Sequence, residues 1–251
     1  MRTVRHSLTL TWRSLLRIRH SPDQLLDVTM IPITFVLMFV FLFGTAVSGD
    51  WRTYLQYVLP GIAVQAMMFA SLGTAVGLNT DLRTGIYDRF RSLPVARSAP
   101  LTGHVLGDLV KYLLSIVLVF GFGAALGFRF HGSVAAVLAG GGLILFFAFA
   151  VCWIATVIGV LARNAEGVQA FSLLLIFPFT FGSNVFVPTE KLPGWLQAWV
   201  KVNPVSQVSS AARGLMLGGP VGHAALYALL WTTGIVVVFA PIAVLAFRRR
   251  A

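Results

Sequence analysis

An all-α polytopic membrane protein is the fold class this sequence predicts, on three observations: six apolar stretches of bilayer length, no charge at their centres, and basic residues gathered at their edges. Of 251 residues, 57% are hydrophobic and 11% charged, a balance that no single water-soluble globule can hide. The net charge is +11. Its Lys and Arg residues flank apolar runs instead of forming a groove-sized patch, which argues against nucleic acid as a partner and makes the lipid membrane the surroundings. The only cysteine, Cys152, sits inside an apolar run, so neither an internal disulfide nor a cysteine metal cluster is available.

A hydrocarbon core of about 30 Å takes roughly 20 residues of helix. Six spans are therefore expected, at 28–47, 55–78, 109–128, 134–162, 168–187 and 224–247. The first follows a long basic segment and is longer than the roughly 7–15 residues of a signal core, so it reads as a retained span. The fourth is long enough to need tilt or a break, and Gly140-Gly141-Gly142 offers the break. The runs are continuously apolar, not alternating, which favours helices over a barrel.

Orientation follows from the cations. Fourteen of them fall on one side, from Arg2 to Arg19, from Arg83 to Lys111, at Arg163 and from Arg248 to Arg250. Five fall on the other: Arg52, Arg129, Lys191, Lys201 and Arg213. The positive-inside rule then predicts both termini in the cytoplasm.

Before the first span, Val4, Leu8, Trp12, Leu15 and Leu16 recur at helical spacing, with Arg2, His6, Arg13 and Arg17 opposite. Residues 1–22 are thus expected as an amphipathic interfacial helix, serving as an anchor or as a mechanical part of transport. Between spans two and three, residues 80–98 place Leu82, Ile86, Phe90 and Leu93 on one face of a short helix that Pro94 ends. That surface suits a cytoplasmic partner, or is a solvated loop obeying the charge rule.

Beyond the fifth span, Pro188, Pro193 and Pro204 punctuate a segment, 188–221, in which Trp195, Leu196, Trp199 and Val200 repeat at helical spacing. Short interfacial helices are expected there. Within span two, Ala63, Ala66, Ala70, Gly73 and Gly77 make a smooth face for packing against another helix, in this chain or in a second subunit. Gly123 and Gly127 read the same way. Gln65, Ser183 and Asn184 are expected to hydrogen-bond between helices, and Asp108 with Lys111 to form a local charge cluster at a membrane interface.

Chemistry of its own is not expected of this chain. Its five histidines have no ligand spacing and pair with no acidic cluster. Its three lysines follow Val110, Glu190 and Val200, so no phosphate-cradling Gly-Lys-Ser/Thr loop exists. Catalytic, metal and cofactor sites are all read as none.

Two blocks carry a resemblance. Asp88-Arg89-Phe90-Arg91-Ser92-Leu93-Pro94, followed by the third span, is one; Asn184-Val185-Phe186-Val187-Pro188-Thr189-Glu190-Lys191-Leu192-Pro193-Gly194-Trp195-Leu196, continued by Asn203-Pro204-Val205-Ser206 and Arg213-Gly214, is the other. With the six-span pattern and the length, the chain resembles the type 2 ABC-transporter permeases, closest to their daunorubicin-exporter-like, drug-resistance branch. The resemblance implies a plasma-membrane exporter of a hydrophobic or amphipathic compound, built from two permease subunits, identical or related, and driven by a separate cytoplasmic ATPase that holds ATP and magnesium. It implies ATPase coupling through Arg83, Gly85, Tyr87, Asp88, Arg89, Phe90, Arg91, Leu93 and Pro94. It also implies short re-entrant helices between spans five and six, with Pro188, Pro193, Trp195, Asn203 and Pro204 at an external gate. A secondary transporter or channel is the alternative, favoured by intramembrane carboxylates or an internal repeat, neither of which is found. A membrane enzyme of lipid metabolism would need a catalytic constellation.

Overall fold

The computed structural model describes residues 22–84 and 99–250, and among these every regular element is helical. In chain order they are α1 (Pro22–Ser48), α2 (Trp51–Arg83), α3 (Ala99–Ala125), α4 (Val134–Leu161), α5 (Ala165–Phe181), a 3₁₀ turn (Thr189–Lys191), α6 (Gly194–Val202), α7 (Pro204–Leu217) and α8 (Gly222–Arg250). The expected interfacial helix at 1–22 lies outside the described residues, apart from Pro22 at the start of α1.

Among the described residues, five helices are long and apolar enough to cross a membrane: Met30–Ser48 in α1, all of α2, Gly107–Ala125 in α3, all of α4, and Gly222–Phe247 in α8. The expected fifth span at 168–187 is helical only to Phe181. At 17 residues, α5 is about 26 Å long, shorter than a hydrocarbon core of about 30 Å. The helix stops because the following backbone is taken up elsewhere. The Tyr57 hydroxyl donates to the Asn184 carbonyl at 2.7 Å and the Tyr54 hydroxyl to the Phe186 carbonyl at 2.9 Å. Residues 182–187 therefore form a hook laid against α2.

The other expected break is absent. Helix α4 runs unbroken through Gly140, Gly141 and Gly142, because in lipid a helix that keeps its ladder leaves no backbone group unsatisfied. Gly140 serves packing instead: a Cβ there would lie 3.2 Å from the Met216 side chain of α7. Span three ends in a turn, with Gly127 at φ 105° and the Phe128 N–H donating to the Gly123 carbonyl at 2.8 Å, a Schellman closure open to glycine.

Helices α2 and α4 form the centre of the bundle, packed against each other and ringed by α1, α3, α5, α7 and α8. Their contacts with one another are close. A Cβ on Gly61 would lie 3.1 Å from the Cα of Val185 in the hook, and one on Gly159 would lie 2.6 Å from the Ala75 carbonyl oxygen. On α8, by contrast, Leu226, Leu230, Val237 and Leu245 are exposed, an apolar surface that calls for lipid or another subunit.

Candidate functional site

Two regions at opposite ends of α2 carry the polar structure. At the Arg83 end, the expected 80–98 connection begins as helix: residues 80–83 complete the last turn of α2, and the Thr84 N–H caps it on the Thr80 carbonyl at 2.9 Å. Arg83 is exposed there. Gly85, Tyr87, Asp88, Arg89, Phe90, Arg91, Leu93 and Pro94 lie outside the described residues.

One turn before this end, Asn79 is fully buried, and its side-chain amide donates to the Gly159 and Ala162 carbonyls, each at 2.9 Å. These are carbonyls of the last turn of α4, which an α-helix cannot satisfy by itself. Around this contact Ala75, Ala155 and Val168 make a small buried cluster joining α2, α4 and α5, separate from the main core. Nearby on α3, Asp108 is buried and pairs with Lys111. Buried Tyr112 shares a 2.6 Å hydrogen bond with Thr74 of α2.

At the Trp51 end the hook is held by side chains from three directions. Asn184 donates its backbone N–H to the Ser206 hydroxyl at 3.3 Å and its amide to the Ser210 hydroxyl at 2.8 Å, both on α7. Arg213, also on α7, stacks its guanidinium 3.8 Å over the Tyr57 ring and donates to the Tyr57 carbonyl at 2.9 Å and the Asn184 carbonyl at 3.2 Å. Burial lowers the Arg213 pKa from its ordinary value, against the opposing influence of Tyr57, Glu190 and Tyr54; a guanidinium stays charged regardless. Gln56 fixes the α3–α4 turn by donating to the Gly127 carbonyl and accepting from the Arg129 N–H, both at 3.1 Å.

The expected gate residues surround the hook unequally. Asn203 is buried and bridges two helices: its amide donates to the Phe179 and Gly182 carbonyls at 2.8 and 3.0 Å, while its oxygen caps α7 by accepting from the Val205 N–H at 2.9 Å. Pro204 opens α7, Pro188 precedes the 3₁₀ turn and Pro193 precedes α6. Trp195 is 76% exposed, whereas Trp199 packs at a tilt against Phe179, with centroids 5.4 Å apart and ring planes at 52°. Lys191 reaches back to the Val47 carbonyl at the end of α1.

Of the side chains expected to hydrogen-bond between helices, Asn184 does so. Ser183 bonds locally, to the Thr180 carbonyl, and the fully buried Gln65 amide has no partner among the described residues. The small-residue face divides similarly. Ala63 and Ala66 are buried and Ala70 is half-buried, but Gly73 is exposed and a Cβ on Gly73 or Gly77 would meet nothing within 4 Å. Among the described residues only the half nearer Trp51 is packed. Gly123, by contrast, is tight against Leu59.

The sequence that builds this bundle has relatives among known proteins. The sequence pattern of the ABC-2 type transporter family matches residues 5–217. The chain belongs to that family. It is 38% identical over 247 residues to the daunorubicin resistance ABC transporter permease protein DrrB1 of Streptomyces coeruleorubidus, covering 98% of this chain and 87% of that one. It is also 29% identical over 252 residues to the probable doxorubicin resistance ABC transporter permease protein DrrC of Mycobacterium tuberculosis, covering 98% and 89%.

As an ABC-2 permease, the chain is a multi-pass, non-catalytic transmembrane subunit of an ATP-driven exporter and associates with an ABC ATPase. Sequence reasoning passed over three residues that organise this permease. Arg213 enters the sequence reading as one of five outer cations and as part of the second resemblance block, with no structural role, although a charge in the apolar stretch Ala211-Ala212-Arg213-Gly214-Leu215 is itself a signal of burial with partners. Tyr57 carried no mark beyond its aromaticity, and Asn79 fell between the span expected to end at 78 and the connection expected to begin at 80.

Proposed function

We propose that this permease exports a hydrophobic or amphipathic compound, of the kind for which its relatives confer resistance, from the cytoplasm or inner leaflet of the plasma membrane. The observation that carries the reading is similarity over 98% of the chain to a daunorubicin resistance permease. In this reading α5 completes a set of six membrane helices and both termini face the cytoplasm, as the fourteen-to-five division of cations favours. A second permease subunit, identical or related, completes the pathway, and the partner ATPase binds ATP and magnesium. Residues 83–94 take the ATPase's movement, their charges setting orientation and their apolar side chains giving grip. The hook, with Pro188, Pro193, Trp195, Asn203 and Pro204 around it, is the external gate, and α6 and α7 form its re-entrant roof.

The test is co-purification of the tagged chain in mild detergent, with vanadate-sensitive ATP hydrolysis measured in the eluate. A P-loop ATPase should co-elute, and Phe90→Ala with Arg91→Ala should weaken its association while leaving membrane insertion intact. Normal transport by that double variant would refute the coupling assignment, and ATP-independent transport by the chain alone would point to a secondary carrier.

A further inference from the structure

Helix α2 is 33 residues long, about 50 Å, and is anchored to its neighbours at both ends. At the Trp51 end it holds the hook that continues α5. At the Arg83 end it holds the α4–α5 turn through the small cluster around Ala75 and through the hydrogen bonds of one side chain. Asn79 reaches out of α2 to cap the C-terminus of α4, donating to the Gly159 and Ala162 carbonyls at 2.9 Å. The contact has no slack: Gly159 approaches the Ala75 backbone too closely for any side chain, and Ala155 and Val168 close the cluster from α4 and α5. Two residues on, Asn164 starts α5 by accepting from the Gly167 N–H at 2.9 Å. One buried amide thus ties the end of α4, with the start of α5 two residues on, to α2 one turn before the connection at 84–98 departs.

We propose that Asn79 is a positioning residue of the transport cycle: it binds α2, α4 and α5 into one body, so that displacement of the 84–98 connection by the ATPase reaches α4 and α5 as well as α2. The proposal rests on the coupling role given to that connection above. Without the clamp, α2 would move against the α4–α5 turn and ATP would be spent on slippage. A merely structural Asn79 would lower the yield of folded complex and leave the transport obtained per ATP unchanged.

The test uses the permease–ATPase complex in proteoliposomes with daunorubicin as the transported probe. Asn79→Ala, and Asn79→Asp, which keeps the size but removes both donors, should assemble with the ATPase and hydrolyse ATP as the parent does. Daunorubicin moved per ATP should fall about tenfold, within the range by which linking residues modulate coupling. An unchanged ratio overturns the proposal. A second readout is spin-label distance between Thr80→Cys and Arg163→Cys, compared without nucleotide and after vanadate trapping. It should stay constant with Asn79 present and shift or broaden in Asn79→Ala; a distance that changes while Asn79 is intact overturns the proposal even if transport is coupled. An ATPase that fails to bind the parent chain at all removes the coupling role, and this inference falls with it.

Discussion

The guanidinium of Arg213 lies 3.8 Å over the ring of Tyr57 and donates at 2.9 Å to that same residue's backbone carbonyl. Helix α7 is thereby fastened to α2 through both the face and the backbone of one tyrosine, and the second donation, to Asn184, adds the hook to the same fastening. Arg213→Ala should cost about 2–4 kcal/mol, from the lost cation–π contact and the lost charged hydrogen bonds. Arg213→Lys should recover only part, because an ammonium has neither the planar stack nor the fork. Thermal unfolding in detergent measures both, and an Arg213→Ala protein that melts with the parent would show that the fastening holds nothing.

Two glycines on α4 should respond oppositely to the same change. Gly159→Ala places a methyl 2.6 Å from the Ala75 carbonyl oxygen, and forcing the helices apart should cost about 1–3 kcal/mol. Gly141→Ala meets nothing within 4 Å and should gain about 0.5–1 kcal/mol from the stiffer helix. Comparing the two melting temperatures checks the α2–α4 contact; equal shifts would contradict it.

Asn203 caps α7 and the end of α5 together. Asn203→Ala should remove about 1 kcal/mol of N-cap stabilisation, and also free the Phe179 and Gly182 carbonyls. Hydrogen exchange should therefore accelerate across residues 179–187 as well as at the start of α7. Faster exchange at α7 alone would mean that the hook is held without Asn203.

The start of α2 should be acid-sensitive. Asp50 accepts from the Thr53 N–H at 3.2 Å, and this bond holds its carboxyl below the ordinary value of 3.8. The cap is fully in force above the ordinary value and is lost as pH falls through the lowered one. Protection of the Thr53 amide from exchange, relative to its intrinsic rate at each pH, should thus fall at acid pH in the parent and be insensitive to pH-induced uncapping in Asp50→Asn; no difference between the two would exclude the cap.

The membrane helices were legible because a bilayer imposes one length and one chemistry, which α2, α4 and α8 meet over nearly their whole extent. What failed to show was backbone use. An apolar run through Val185 and Val187 gives no sign that the carbonyls at Asn184 and Phe186 are claimed by Tyr57 and Tyr54, so α5 was drawn six residues too long. The triple glycine misled for the complementary reason: helix propensity disfavours it in water, but lipid offers the backbone no other partner. The role of Asn79 depends on α4 ending opposite it, a coincidence between segments 80 residues apart that no local pattern encodes. The segment at 188–221 was legible as punctuated short helices because prolines and tryptophans mark it, but its fastening through Arg213 was not.

The shortness of α5 has a consequence for the membrane itself. Its outward residues Phe171, Leu174, Phe177 and Phe181 are exposed, yet at about 26 Å the helix falls some 4 Å short of an average hydrocarbon core, at a cost of a fraction of a kcal/mol per Å of mismatch. With α5 in the membrane place proposed for it above, lipids bordering this flank must dimple inward to cover it, or the hook must sink below the headgroups. In that arrangement the bilayer is thinnest beside α5, so the flank facing Phe171 and Phe177 is where the protein would deform its own solvent, and lipid chain length becomes a variable that acts on one side of the bundle only.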